Sequence, residues 1–162
     1  MLYASEDGLK AVNSLGHHFN PSNTLQDKLG LAGSSYEFVS AIPAILEYLG
    51  PDVIASWEQI EKHEESLQGR LLAYLNARND VTIIGEKDAD TKKRVSTISF
   101  LVDGKDSQAV VKGVEEKTSG EIGIRWGGFY SERLREEVLG LKKDGVVRVS
   151  MVHYNTCKLA FS

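Results

Sequence analysis

The sequence predicts an α/β (α+β) chain whose larger part is a small mixed or antiparallel sheet covered by helices. Three observations predict it. An apolar face repeats at three- and four-residue steps over residues 36–49 and again from residue 56. Beyond residue 80 the hydrophobic period shifts towards two. From there short alternating segments are interleaved with two helical ones, the pattern of helices packed on one face of a sheet.

Tyr36 to Leu49 is the first clear helix, with Phe38, Val39, Ile42, Ile45, Leu46 and Leu49 on one face. Ser34 and Glu37 stand at capping-box spacing before it, Pro43 predicts a kink inside it, and Gly50-Pro51 ends it. Ser56 and Gln59 form a second such pair, opening a long helix to about Ala77. Its predicted face is Trp57, Ile60, Leu67, Leu71, Tyr74 and Leu75, interrupted by Glu64. Val81–Ile84 reads as a short strand and Arg94–Val102 as a longer one with Ile98, Phe100 and Val102 on one face; the charged stretch Gly85–Lys93 connects them. After the Asp103-Gly104 turn, Ser107–Lys117 is a helix with Ala109, Val110, Val111 and Val114 inward. Ile122, Ile124 and Trp126 alternate as a third strand closed by Gly127-Gly128. Glu132–Leu139 is a short helix and Val146–Val152 the last strand.

The division falls near Pro51. Residues 1–50 are loop, tight turn and one helix with no sheet to pack on, so that region wants a partner surface. Residues 51–162 hold the sheet. With 162 residues, 41% of them hydrophobic, there is enough chain for one core of normal size. A net charge of -4 argues against a nucleic-acid footprint, which needs a basic face. The start, Met-Leu-Tyr-Ala-Ser-Glu-Asp, is acidic and shows no secretory leader, and no run approaches the ~20 apolar residues of a membrane helix. Cys157 is the single cysteine, which leaves no disulfide framework and no metal-cysteine cluster. The expected setting is cytoplasmic.

Four features carry the chemistry. In Val146–Val152, Val147, Val149 and Met151 point one way while Arg148 and Ser150 point the other, so Arg148 offers a guanidinium fork to a carboxylate. The bland alternative is a surface ion pair. Ser34, at a helix start where backbone N–H groups gather partial positive charge, is either a phosphate contact or a plain N-cap. Arg125-Trp126-Gly127-Gly128-Phe129-Tyr130 is either a pocket loop or a Gly-Gly turn with two packed aromatics. His17-His18 has no third ligand at a useful spacing, so no metal is expected. His63 is expected to be solvated on a charged helix face, Lys92-Lys93-Arg94 to be an exposed connector, and Cys157 to be an inert thiol.

Arg148-Val-Ser-Met-Val-His-Tyr-Asn-Thr156 resembles the Arg-x-Ser-x-x-x-Tyr-Asn-Thr signature near the end of class V aminotransferases, the pyridoxal-phosphate family that includes the cysteine desulfurases. Ala32-Gly33-Ser34 resembles that family's Ala-Gly-Thr motif, and Leu15-Gly-His-His-Phe-Asn-Pro21 resembles its desulfurase-like branch. The resemblance implies a fold-type-I enzyme, of which this chain is the C-terminal portion: residues 1–50 a remnant of the large domain, with Leu2–Ser5 an edge strand, and 51–162 the small domain without its final helix. It implies that Arg148 holds an amino-acid carboxylate, that Ser34 touches the phosphate of pyridoxal 5'-phosphate bound in a neighbouring subunit of a homodimer, and that Arg125 and Tyr130 line the substrate pocket. The chain departs from the desulfurase loop: Gly128 stands in place of histidine, and Tyr130 in place of the nucleophilic cysteine. A phenol cannot carry sulfur as a persulfide. No lysine here has the family's Schiff-base context, so no turnover is expected of this chain alone. The alternative is a non-catalytic binding or dimerisation module, associating with its own kind or with a full-length relative.

Overall fold

The computed structural model describes residues 3–30, 35–141 and 144–156. The chain divides into two compact units, Met1–Val53 and Ile54–Ser162.

Among the described residues the first unit holds three helices, of which the apolar periodicity predicts the third alone. α1 (Glu6–Ala11) is capped by Ser5, whose hydroxyl accepts from the Gly8 N–H at 3.1 Å. Tyr3–Ser5 is therefore a helix lead-in and not the expected edge strand. α2 (Leu25–Leu29) carries a full capping box between Thr24 and Asp27, and those hydrogen bonds hold the Asp27 carboxyl below its ordinary value. Lys28 ties the two together by donating to the carbonyls of Leu9 and Val12 at 2.6 and 2.8 Å. Helices of five and six residues bury too little to show a period, which is why the sequence hid them.

α3 (Tyr36–Leu49) runs as predicted and ends at Gly50, whose φ of 77° is left-handed backbone that favours glycine. Its N-cap is Ser35, one residue later than the Ser34 spacing suggests; the Ser35 hydroxyl donates to the Glu37 carboxylate at 3.0 Å and caps no backbone group. Ser34 itself lies outside the described residues, as does Cys157. Phe38, Val39, Ile45 and Leu46 are more than half exposed.

The second unit begins with α4 (Val53–Asn76), which starts three residues before the predicted Ser56 cap. Its buried face is Leu67, Gln68, Leu72 and Leu75, rotated from the predicted one, so that Trp57 and Tyr74 are about half exposed. Among the described residues four strands follow: β1 (Val81–Ile84), β2 (Thr97–Val102), β3 (Arg125–Gly127) and β4 (Val146–Ser150), in the order β1-β2-β4-β3. All pairs are antiparallel, so the sheet is antiparallel and not mixed. α5 (Ser107–Lys117) lies across β2, β4 and β3. It starts on a borrowed cap: the Asp144 carboxylate accepts from the Ser107 N–H at 2.7 Å. Leu72, Leu75, Ile83, Ile98, Phe100, Val111, Ile124 and Val147 form the core, each contributing about 1.5–3 kcal/mol by its burial.

Between β3 and β4 the predicted helix is α6 (Leu134–Val138), a wide turn in which the Leu139 N–H reaches back five residues to Leu134. The strands are shorter than their hydrophobic patterns. Ile122 and Ile124 face the core without pairing, and β2 starts at Thr97, just after Ser96, whose hydroxyl bonds to Glu64 while its carbonyl accepts from the Met151 N–H at 2.9 Å.

Candidate functional site

Register places the candidate arginine. Ile84 pairs with Ser99, Ser99 with Arg148, and Arg148 with Arg125, making one row across the sheet. Directly opposed residues share a face, and this is the face away from Ile98, Phe100 and Val147. The chain from Gly127 to Leu141 passes over that face and forms a half-open cavity of about 160 Å³ above Ser99 and Arg148.

Two guanidiniums line this cavity, and their surroundings differ. Arg135 is buried and compensated: it bonds to the Glu132 and Glu136 carboxylates and to the Leu141 carbonyl. Glu132, foremost, holds its ionisation above the ordinary arginine value. Arg148 is half-buried, and its guanidinium carbon stands 4.0 Å from the centre of the Phe129 ring. Among the described residues no carboxylate lies within ion-pair distance of it, so its donors remain available.

The loop that carries Phe129 makes close approaches at two glycines. A Cβ on Gly128 would lie 2.0 Å from Glu132 Oε1, and that carboxylate is fixed by Arg135. A side chain at 128 would therefore have to displace the Glu132 tip, which is more than half exposed. Phe129 and Tyr130 follow with φ of 51° and 59°, two successive non-glycine residues in the left-handed region. Gly145, at the start of β4, abuts Gly127: a Cβ there would lie 2.2 Å from the Gly127 carbonyl carbon and oxygen.

The other predicted site residues sit apart from the cavity. Arg125 opposes Arg148 in register, yet its guanidinium goes to Glu115 of α5 at 3.7 Å and to the Ile124 carbonyl. Tyr130 is fully exposed at the loop tip. Ser99 and Arg135 are the residues that the sequence does not single out; Phe129 lies within the predicted loop, but the Gly-Gly pair marks the bend and not which aromatic turns inward. His63 is also corrected: it is half-buried, and its Nε2 lies 2.8 Å from the Asn155 carbonyl. The Asn155 side chain accepts from the Val152 N–H at 2.8 Å, so the Tyr-Asn-Thr part of the signature is a turn pinned to α4. His17 and His18 both pack on Phe19.

Tested as a site for pyridoxal phosphate, the cavity does not fit. Among the described residues its lining holds no lysine to meet the aldehyde and no carboxylate to meet a pyridine nitrogen. Among the described residues no single helix is long and apolar enough to cross a membrane.

Residues 38–158 match the family model for class V aminotransferases. The aminotransferase-like protein FGM3 of Gibberella zeae is 47% identical over 96% of this chain and 38% of its own length. The cysteine desulfurase-like protein ustD of Aspergillus flavus is 35% identical over 96% of this chain and 35% of its own. Among solved structures, the cysteine desulfurase CsdA of Escherichia coli superposes with a TM-score of 0.69 at 22% identity, covering 97% of this chain and 38% of that one. That likeness speaks for the fold, a portion of the fold-type-I architecture. The chain spans little more than a third of these relatives, and over that span it belongs to the class V aminotransferase family.

Proposed function

We propose that this chain is the carboxylate-anchoring portion of a pyridoxal-phosphate-dependent, cysteine desulfurase-like protein acting on an amino acid, with Arg148 as the anchor. The observation that carries the reading is the contrast between the two arginines of one cavity: Arg135 is neutralised by two carboxylates, and Arg148 has none among the described residues. A guanidinium left uncompensated in a half-buried place is suited to a ligand carboxylate, which takes it by two parallel hydrogen bonds. Tyr130 and Arg125, which sit apart from this cavity, are assigned the substrate pocket on the resemblance alone, and Ser34 the cofactor phosphate on its motif alone.

The Schiff-base lysine is not among this chain's lysines in this reading, and the chain alone does not turn over. Incubation with pyridoxal phosphate and borohydride is expected to leave no single stoichiometric labelled lysine. Such a label together with activity on an amino acid overturns it. The anchor is tested by titrating the chain with alanine and following arginine Nε–Hε resonances: binding in roughly the millimolar range, lost in Arg148→Lys, is expected.

One observation favours a second reading, an association module forming homodimers or joining a full-length relative. α3 presents Phe38, Val39, Ile45 and Leu46 more than half exposed, an apolar stripe of the kind that marks interaction surfaces. Sedimentation distinguishes the two: a monomer at micromolar concentration that still binds alanine leaves only the first.

A further inference from the structure

We propose that Phe129 is a positioning residue for Arg148: its ring fixes the plane of the guanidinium and turns the donor edges towards the ligand carboxylate. The inference rests on the reading of Arg148 given above. Two independent observations carry it. The ring centre lies 4.0 Å from the guanidinium carbon, within the range of an attractive cation–aromatic contact. The ring is held there by backbone that is itself unfavourable, since Phe129 and Tyr130 both adopt positive φ. Such a pair persists only where its surroundings over-determine it. Here they do, because Glu132, just beyond the pair, is bonded to the buried Arg135, and the Ser131 N–H closes the turn on the Gly128 carbonyl at 2.9 Å.

The geometry of the two interactions makes them compatible. An aromatic ring engages a guanidinium through its flat face, whereas a carboxylate engages its edge by two coplanar N–H donors. Stacking therefore removes rotational freedom and one layer of water from Arg148 without occupying a single donor. Ligand binding then costs less ordering, and the ion pair forms in a less screened place.

The test uses the 162-residue chain and arginine Nε–Hε spectra, with the Arg148 resonance assigned by its loss in Arg148→Lys. In the unmodified chain that resonance is expected to be displaced by the ring current of Phe129. Phe129→Leu is expected to abolish the displacement and weaken alanine binding about three- to tenfold, and Phe129→Tyr to restore both. A normal Arg148 shift in the unmodified chain overturns the proposal without any variant. Alanine affinity within twofold of the original in Phe129→Leu also overturns it while leaving Arg148 as the anchor. If the displaced resonance is present but does not respond to alanine, the anchor reading fails and the positioning role fails with it.

Discussion

Gly145→Ala is the substitution that most directly examines how β3 and β4 are held together around Arg148. Gly145 has φ of 75°, which costs an L-residue about 1–2 kcal/mol. The new Cβ would lie 2.2 Å from Gly127 backbone atoms, a contact that must open beyond 3.0 Å. Backbone cannot swing aside as a side-chain tip can, so the short β3–β4 pairing, Arg125 to Gly127 against Val146 to Arg148, must part at its Gly127 end. Losing one or two ladder hydrogen bonds costs about 1 kcal/mol each. Reduced freedom of the unfolded chain returns about 0.4–1 kcal/mol. The net expectation is a loss of about 2–3 kcal/mol, read as a lower urea midpoint with an unchanged slope. Gly120→Ala is the matched control, because Gly120 has φ of 81° with nothing within 4 Å of the added atom. It should cost about 1 kcal/mol or less. If the two variants agree within about 0.5 kcal/mol, the close approach of Gly145 to Gly127 contributes nothing and the reasoning fails.

Ile98 is fully buried at the centre of the sheet, so Ile98→Ala should cost about 2–5 kcal/mol in urea unfolding and Ile98→Val about 0.5–1.5. His63→Ala removes the tether between α4 and the Asn155 carbonyl and should cost about 1 kcal/mol, with faster amide exchange at 152–155 as its local sign. Acid should destabilise the fold. Hydrogen bonds hold Asp27, Asp80 and Asp88 below their ordinary value of 3.8, chiefly from Thr24, Arg78 and Lys93. Groups with depressed values contribute stability above 3.8 that disappears as pH falls through the lower folded values, so the urea midpoint should drop below about pH 4. Asp80→Asn should flatten that drop, and an unaltered acid profile in this variant would remove Asp80 from the account.

Much of this fold can be read from the sequence because its elements are long enough to repeat. α3 shows four helical turns of apolar spacing closed by Gly50-Pro51, and α5 spans the predicted Ser107–Lys117. Misreadings cluster where burial and hydrogen bonding diverge. The alternation of Ile122, Ile124 and Trp126 reports which side chains face the core, and only Arg125–Gly127 actually pairs. The apolar stripe of α4 was placed by hydrophobicity, yet the fully buried position is Gln68, whose amide donates to the Ala89 carbonyl at 2.7 Å. No periodic rule puts a glutamine inward; a connector carbonyl that needs a donor does. Likewise α1 and α2 exist through caps and the Lys28 tether, which are visible as residues but not as a repeat.

The site was half legible for the same reason. Strand alternation sends Arg148 to the face opposite Val147, and that much is fixed by the period of two. What lies above that face depends on the Gly127–Leu141 segment, and its path is decided by positions where ordinary rules are broken: two aromatic residues at positive φ and a buried arginine. These departures share one consequence, because each helps to set the Phe129 ring against Arg148. A segment selected for stability alone would relieve the left-handed pair with glycine or asparagine and place a carboxylate beside Arg148, as Glu132 and Glu136 stand beside Arg135. The chain instead keeps the strain and leaves the cation without a carboxylate among the described residues. Local cost retained at one arginine, beside another that is fully satisfied, is the pattern expected where the missing carboxylate arrives with the ligand.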